Sequence, residues 1–349
     1  MSERYKLYGS VGSPYALKLK SLLRYRRVPF NWVPASLDWV PEDLPHDPAS
    51  KAAREEISHI RPPVLPVLQF PQDGMFLNDS TPIAYALEER HRERSVVPDD
   101  AAIAFLSHLL EDMADEWGVK IAFHYRWGHE KDALYKSRIV AAELLGGGYS
   151  DSIQRTAGLH FARRQQGRMP LVGCTEENKP LIEEVYRRVL DVMQALPKKS
   201  LFLFGSRPSL ADFGWYGELV SLATDPTPAA IMAERAPAAF QWLQALDDAS
   251  GIEGDWISSE YLMSSPVLDL IKLAAEVYLP FLRANAAAID ADEKVFSHEV
   301  FGLAYSQNTF RYQAKCWRII KEKYAALPDR DRSVVNASFE AAGSKPDFA

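Results

Sequence analysis

Cysteine is scarce in this chain. Cys174 and Cys316 are the only two in 349 residues, so one disulfide is the most the sequence allows. A chain of this length, 47% hydrophobic, fills its cores without one. Positive charge is also in deficit. The formal net charge is −7 and the pI is near 5.7, and basic runs such as Arg24 to Arg27 are short. The clustered Lys and Arg that grip phosphate are missing, which excludes nucleic acid and an anionic membrane surface as partners. Long apolar runs are missing as well, and Met1 to Lys6 lacks the core of a signal peptide. A cytoplasmic location is therefore expected. The eight histidines are scattered. His124 and His129 stand five apart, off a common helix face, and His129-Glu130 has no second His to complete a zinc helix, so no metal is expected.

The chain is longer than one core usually spans, so two packed units are expected. Residues 4 to 9 read as a strand, and Ser13 with Pro14 opens a helix to about Arg26 with Leu17, Leu22 and Leu23 on its apolar face. "VPFNWV" (28 to 33) reads as a strand and "PASKAAREEISHI" (48 to 60), after a Pro-rich approach, as a helix. "PVLQF" and "MFLND" flank a turn at Pro71-Gln72-Asp73-Gly74 and predict an antiparallel hairpin, followed by a helix from Thr81 to Arg92. The order β-α-β-α-β-β-α implies a small mixed sheet flanked by helices.

From Asp99 the pattern becomes helical, including "AAIAFLSHLLEDMADEWGVKIAF" and "ENKPLIEEVYRRVLDVMQAL". Ser209 and Asp212 predict a capping box opening a buried helix. Beyond Gly251 come a helical stretch (265 to 288), an alternating one, "KVFSHEVFGLAYS", and another helix (311 to 327). The last twenty or so residues, polar and Gly/Pro-bearing, are expected to fray.

Three motifs in order resemble the glutathione transferase family. Ser13-Pro14-Tyr15 is similar to the Ser/Cys-Pro-aromatic start of serine- and cysteine-type members. Leu65-Pro66-Val67-Leu68 looks like the family's cis-proline turn. Asp79-Ser80-Thr81 is similar to its acidic-Ser pair that grips the γ-glutamyl group. Ser209 to Asp212 match the capping box of its second domain. Leu precedes Pro66 where Val is more usual, Asp stands at 79 in place of Glu, and "SHIRP" replaces an Asn-Pro-x-Gly turn. The resemblance is to a little-characterised bacterial branch with a longer C-terminus.

The resemblance implies a two-domain fold: a thioredoxin-like glutathione-binding domain (1–92), then an all-helical domain (101–255), with an extension (256–349) packed on the helical domain. It implies glutathione as co-substrate, a small-molecule electrophile as partner, and a homodimer. Ser13 would stabilise the bound thiolate, with Tyr8 the alternative and Ser10 weaker; Leu65 and Pro66 would pair with the ligand backbone, and Asp79 and Ser80 would hold its γ-glutamyl end. The same residues have plainer readings. Ser13 and Asp79 are good helix caps, and Tyr8 is an ordinary strand aromatic. His108, Glu111, Asp112, Asp115, Trp117, His124, Tyr125, Arg126 and Trp127 lie on the helix that lines the electrophile pocket in the family, though such side chains are mostly core aromatics or solvated charges. Without Cys at position 13, chemistry needing a mixed disulfide with the enzyme is not expected. A transferase-like protein that binds a ligand or partner without catalysis is the rival reading.

Overall fold

β1 (Tyr5–Gly9) turns Leu7 into one apolar cluster and Tyr8 into another, so both faces of the first sheet are covered. The computed structural model describes residues 4–35, 48–146, 149–197, 200–345 and 347–348; the first three residues and the Pro-rich approach before Pro48 lie outside them. Ser13 caps α1 (Pro14–Tyr25), Pro14 sits in its first turn where a missing N–H needs no partner, and Leu19, Leu22 and Leu23 are fully buried. β2 (Phe30–Pro34), α2 (Pro48–Glu56), β3 (Val67–Gln69), β4 (Phe76–Asn78) and α3 (Ser80–Arg90) follow. The sheet order is β2-β1-β3-β4, with β1 and β2 parallel and the other pairs antiparallel. Gly74, at φ +68°, turns the β3–β4 hairpin, and the Asp73 carboxylate accepts the Met75 N–H at 3.0 Å. The expected element order thus stands in the structure.

The rest is largely helical. α4 (Ala101–Met113) runs through a π segment, Ala114–Gly118, into α5 (Val119–Gly128). α6 (Glu130–Leu145), α7 (Asp151–Gln166), α8 (Lys179–Ala195), α9 (Leu210–Ala223), α10 (Pro226–Arg235), α11 (Pro237–Asp247) and α12 (Ser259–Leu262) follow. Every residue of α9 from Leu210 to Leu219 is buried, which fits a helix apolar on all sides. Its start is fastened by Asp212, whose carboxylate accepts the Ser209 N–H at 2.8 Å, the Ser209 hydroxyl at 2.7 Å and the Leu203 N–H at 2.8 Å.

The last hundred residues contain α13 (Val267–Leu273), a second π segment (Ala274–Tyr278), α14 (Leu279–Asp290), the hairpin β5 (Val295–Val300) and β6 (Leu303–Asn308), α15 (Arg311–Ala325) and α16 (Asp329–Ala341). Here one sequence reading takes definite form and one expectation changes. The alternating stretch is a hairpin turned at Phe301 and Gly302, both at positive φ. The terminal residues do not fray: Val335 and Phe339, spaced i and i+4, are fully buried on α16, which packs on α4. Beyond it Phe348 stacks on Tyr324 with ring centres 4.2 Å apart and meets Phe105 of α4 at 5.6 Å. An apolar stripe inside a polar composition supplied the docking that composition alone does not reveal.

Candidate functional site

Strand register gathers three of the loops singled out in the sequence. Tyr8 of β1 is opposite Val67 of β3, and Val67 is opposite Asn78 of β4. The chain leaving β1 toward Ser13, the approach to β3 through Leu65 and Pro66, and the exit from β4 into Asp79 and Ser80 therefore lie along one end of the sheet. The Leu65–Pro66 peptide is cis, as is Arg61–Pro62. Asp79 holds φ +74°, a region non-glycine residues rarely visit. Its side chain accepts the Thr81 N–H at 3.4 Å as the cap of α3.

Ser13 is half-buried at the start of α1, and its oxygen accepts the Ala16 N–H at 3.3 Å. The loop before it is tied to the helical region. Glu143 of α6 accepts the Ser10 hydroxyl at 2.7 Å and the Val11 N–H at 3.0 Å, and Arg126 of α5 donates to the Gly12 carbonyl at 3.0 Å. Burial pushes the Glu143 carboxyl up, partly offset by these bonds. Tyr8 is not part of this group. It is fully buried among Ala53, Ile57 and Val67, and burial, with the Glu56 carboxylate nearby, holds its phenol far above the ordinary tyrosine range. A hydroxyl so enclosed has no access to a thiol.

Ser80 is buried and looks into the seam between α1, α3 and α4. Its hydroxyl donates to Asp115 at 3.1 Å and accepts from the Lys18 ammonium at 3.2 Å. Lys18, fully buried, also contacts Asp115 at 2.7 Å and Glu111, and the Thr81 hydroxyl donates to Glu111 at 2.5 Å. Burial lowers the Lys18 pKa, but the two carboxylates outweigh it and raise the group overall, so it stays charged. One ammonium cannot balance two buried carboxylates. Burial raises both, Glu111 to about 8, which favours a proton shared into this carboxylate pair beside Lys18. Asp79 completes the seam: its second carboxylate oxygen accepts the Tyr312 hydroxyl of α15 at 2.5 Å.

The other candidates on α4 and α5 are mostly packed away from Ser13. Trp117 lies against Phe281 and Tyr305, Trp127 against Phe161, and Tyr125 against Tyr186. The His124 ring is 3.1 Å from Glu183. Burial takes His108 down to about 3, leaving a neutral ring 3.2 Å from the Tyr85 hydroxyl. The Asp112 carboxyl, raised by burial to about 6, accepts the Tyr278 hydroxyl. Arg126 straps α5 to Asp225 at 2.6 Å and to the Ser221 carbonyl at 3.0 Å. Both cysteines are free and buried, and no group of ligating side chains among the described residues could hold a metal ion. Sequence reasoning passed over Lys18, although a lysine between Leu17 and Leu19 on an apolar helix was a signal of a buried charge. It also passed over Glu143 and Tyr312. Their contacts span 133 and 233 residues, beyond any local pattern.

A thioredoxin-like sheet with a cis-proline before β3, followed by a largely helical region, defines the class of protein. Residues 7–95 match the family model for glutathione S-transferase, N-terminal domain. Solved structures are similar at lower identity. A glutathione S-transferase from Methylobacterium radiotolerans in complex with glutathione sulfonate is 19% identical over 73% of this chain and 96% of its own, with a TM-score of 0.40. One from Methylobacillus flagellatus with glutathione bound is 20% identical over 69% of this chain and 93% of its own, with a TM-score of 0.38. A glutathione transferase from Phanerochaete chrysosporium is 17% identical over 70% and 96%, with a TM-score of 0.45. A comparison with curated proteins finds no match. Among the described residues no helix is long and apolar enough to cross a membrane.

Proposed function

We propose that the protein is a glutathione transferase. The observation that carries this reading is the alignment of Tyr8, Val67 and Asn78 across the sheet, which brings the Ser13, Leu65–Pro66 and Asp79–Ser80 loops to one end of a glutathione S-transferase N-terminal domain. Glutathione is a flexible anion whose thiol ordinarily ionises near pH 8.5, so the chemistry needs a grip on its backbone and a preference for thiolate. The backbone of Leu65 would pair with the cysteinyl amide as an added strand does. Asp79 would accept the α-ammonium in a charge-assisted bond, with Ser80 beside it. Ser13, at the positive end of α1, would stabilise the thiolate, which attacks an electrophilic carbon of a small molecule. Serine here favours the ionised thiol and is not itself the nucleophile.

The reading includes a cytoplasmic location, the division at 1–92, 101–255 and 256–349, and a homodimer pairing the first unit of one chain with the helical region of the other. Exposed apolar side chains on both units support that pairing: Val64 and Met75 on the first, Leu134, Tyr135 and Ile139 of α6 on the second. Light scattering should give twice the 39.3 kDa of one chain. A specific observation favours the non-catalytic rival: the Ser80 hydroxyl and the Asp79 carboxylate already have partners within the chain. Retention on immobilised glutathione with elution by free glutathione, together with turnover of an aryl halide, supports the enzyme. Retention without turnover of any electrophile supports the rival, and absence of retention counts against the enzyme.

A further inference from the structure

The α-amino-acid end of the candidate site is filled from within at both poles. A γ-glutamyl group carries an ammonium and a carboxylate on one carbon. The partner expected for the ammonium is the Asp79 carboxylate, and it already accepts a hydrogen bond from Tyr312 at 2.5 Å. Ser80 is the partner expected for the carboxylate, and its hydroxyl already donates to the Asp115 carboxylate at 3.1 Å. The two internal groups repeat the ligand's polarity, a donor on Asp79 and a carboxylate on Ser80. Asp115 is locked by Lys18 and cannot leave without stranding a buried ammonium. Tyr312 is different. It is half-buried at the second position of α15, just after Phe310, whose backbone the Asn285 side chain holds, and its neutral hydroxyl can give way to an ammonium without stranding a buried charge.

We propose that Tyr312, delivered by the C-terminal extension, is a specificity-determining residue of the thiol site: its hydroxyl competes with the ammonium of a γ-glutamyl ligand for the Asp79 carboxylate. This rests on the glutathione reading above. Burial and the Asp79 charge both hold the Tyr312 phenol in its protonated form, so at neutral pH it acts as donor to that carboxylate. Asp79 offers its other oxygen to the Thr81 N–H, which leaves one oxygen to be contested. The positive φ of Asp79 aims this carboxylate at the seam, a placement that capping α3 alone does not require. A ligand without a free ammonium meets no such competition, so the residue discriminates between thiols by their amino end.

The test is calorimetric titration of the full chain and of Tyr312→Phe with glutathione and with N-acetylglutathione, whose ammonium is blocked. Tyr312→Phe keeps the ring and removes the competing hydroxyl. Glutathione should bind the variant about tenfold more tightly, the scale of one hydrogen bond to a charged group, with N-acetylglutathione unchanged. Binding by the variant alone, with none by the wild type, supports the proposal equally. Equal or weaker glutathione binding in the variant, with the wild type still binding, overturns it and leaves the glutathione reading standing. An equal gain for both thiols overturns it too, since the ring contact and not the ammonium would then be at issue. If neither protein binds either thiol while both keep the same circular dichroism and melting temperature, the glutathione reading fails and the proposal fails with it.

Discussion

Gly217 of α9 lies directly over the Pro14 carbonyl of α1: a Cβ built on Gly217 would stand 2.6 Å from that oxygen and 3.1 Å from the Lys18 Cβ. The helical region thus reaches the first turn behind Ser13 at backbone distance, and only hydrogen fits between them. Gly217→Ala should force α1 and α9 apart at a cost of about 1–3 kcal/mol. Thermal unfolding of the variant reads this, and a melting temperature equal to wild type would show that the contact yields freely.

The same contact shows what was legible in the sequence. Ser13-Pro14, the hairpin at Asp73-Gly74 and the Ser209–Asp212 box are written in neighbouring residues, because caps and turns are satisfied by groups a few positions apart. Lys18, Glu143 and Tyr312 owe their places to partners 62 to 233 residues away. Nothing local sets them apart from surface lysines, glutamates and tyrosines. α16 was misread for a related reason: its polar composition hid the few apolar side chains, Val335 and Phe339, that α4 covers.

Removing residues after 255 should destabilise what remains. α15 and α16 cover α4, where Phe105 meets Tyr324 and Phe348, and Lys323 lies 4.7 Å over the Tyr85 ring of α3. Truncation would leave these faces bare, an apolar patch that soluble proteins rarely carry. Lower solubility and a lower melting temperature are expected. A soluble fragment melting like the full chain would mean that the extension is an independent appendage.

The buried acids make stability depend on pH in a defined window. Burial raises Glu111 to about 8, and Glu116 likewise. A carboxyl raised on folding binds its proton more tightly in the folded state, so stability falls as pH climbs toward the folded value. Of the groups acting in the opposite sense, His108, lowered to about 3 by burial, is neutral in the fold throughout, and its unfolded form has largely lost its proton by pH 7, while Lys120 and Lys136, lowered to about 8, offset a growing part of the decline as pH nears that value. Between pH 7 and 8 stability should decline, each such carboxyl contributing up to roughly 1 kcal/mol per pH unit. Glu111→Gln should flatten that slope in calorimetric scans. An unchanged slope would mean that Glu111 is ionised beside Lys18.

Ser13 has two roles open to it, and one substitution separates them. As a cap alone, through its bond from the Ala16 N–H, Ser13→Ala should cost about 0.5–2 kcal/mol of stability and leave thiol chemistry untouched. As the thiolate's partner, it acts with the positive end of α1. Lowering a bound thiol from about 8.5 to about 6.5 corresponds to roughly 2.7 kcal/mol in favour of thiolate, enough to keep most of it ionised at neutral pH. Losing the hydroxyl should then depress turnover at pH 6.5 far more than at pH 9, where the thiol ionises unaided. Glutathione affinity should change little, because Leu65 and Asp79 would do the holding. Tyr8→Phe, altering a hydroxyl sealed beneath α2, should leave the pH profile of turnover unchanged. If Ser13→Ala keeps full turnover at pH 6.5 while Tyr8→Phe loses it, the activating hydroxyl belongs to Tyr8 and the sealed sheet face must open during turnover.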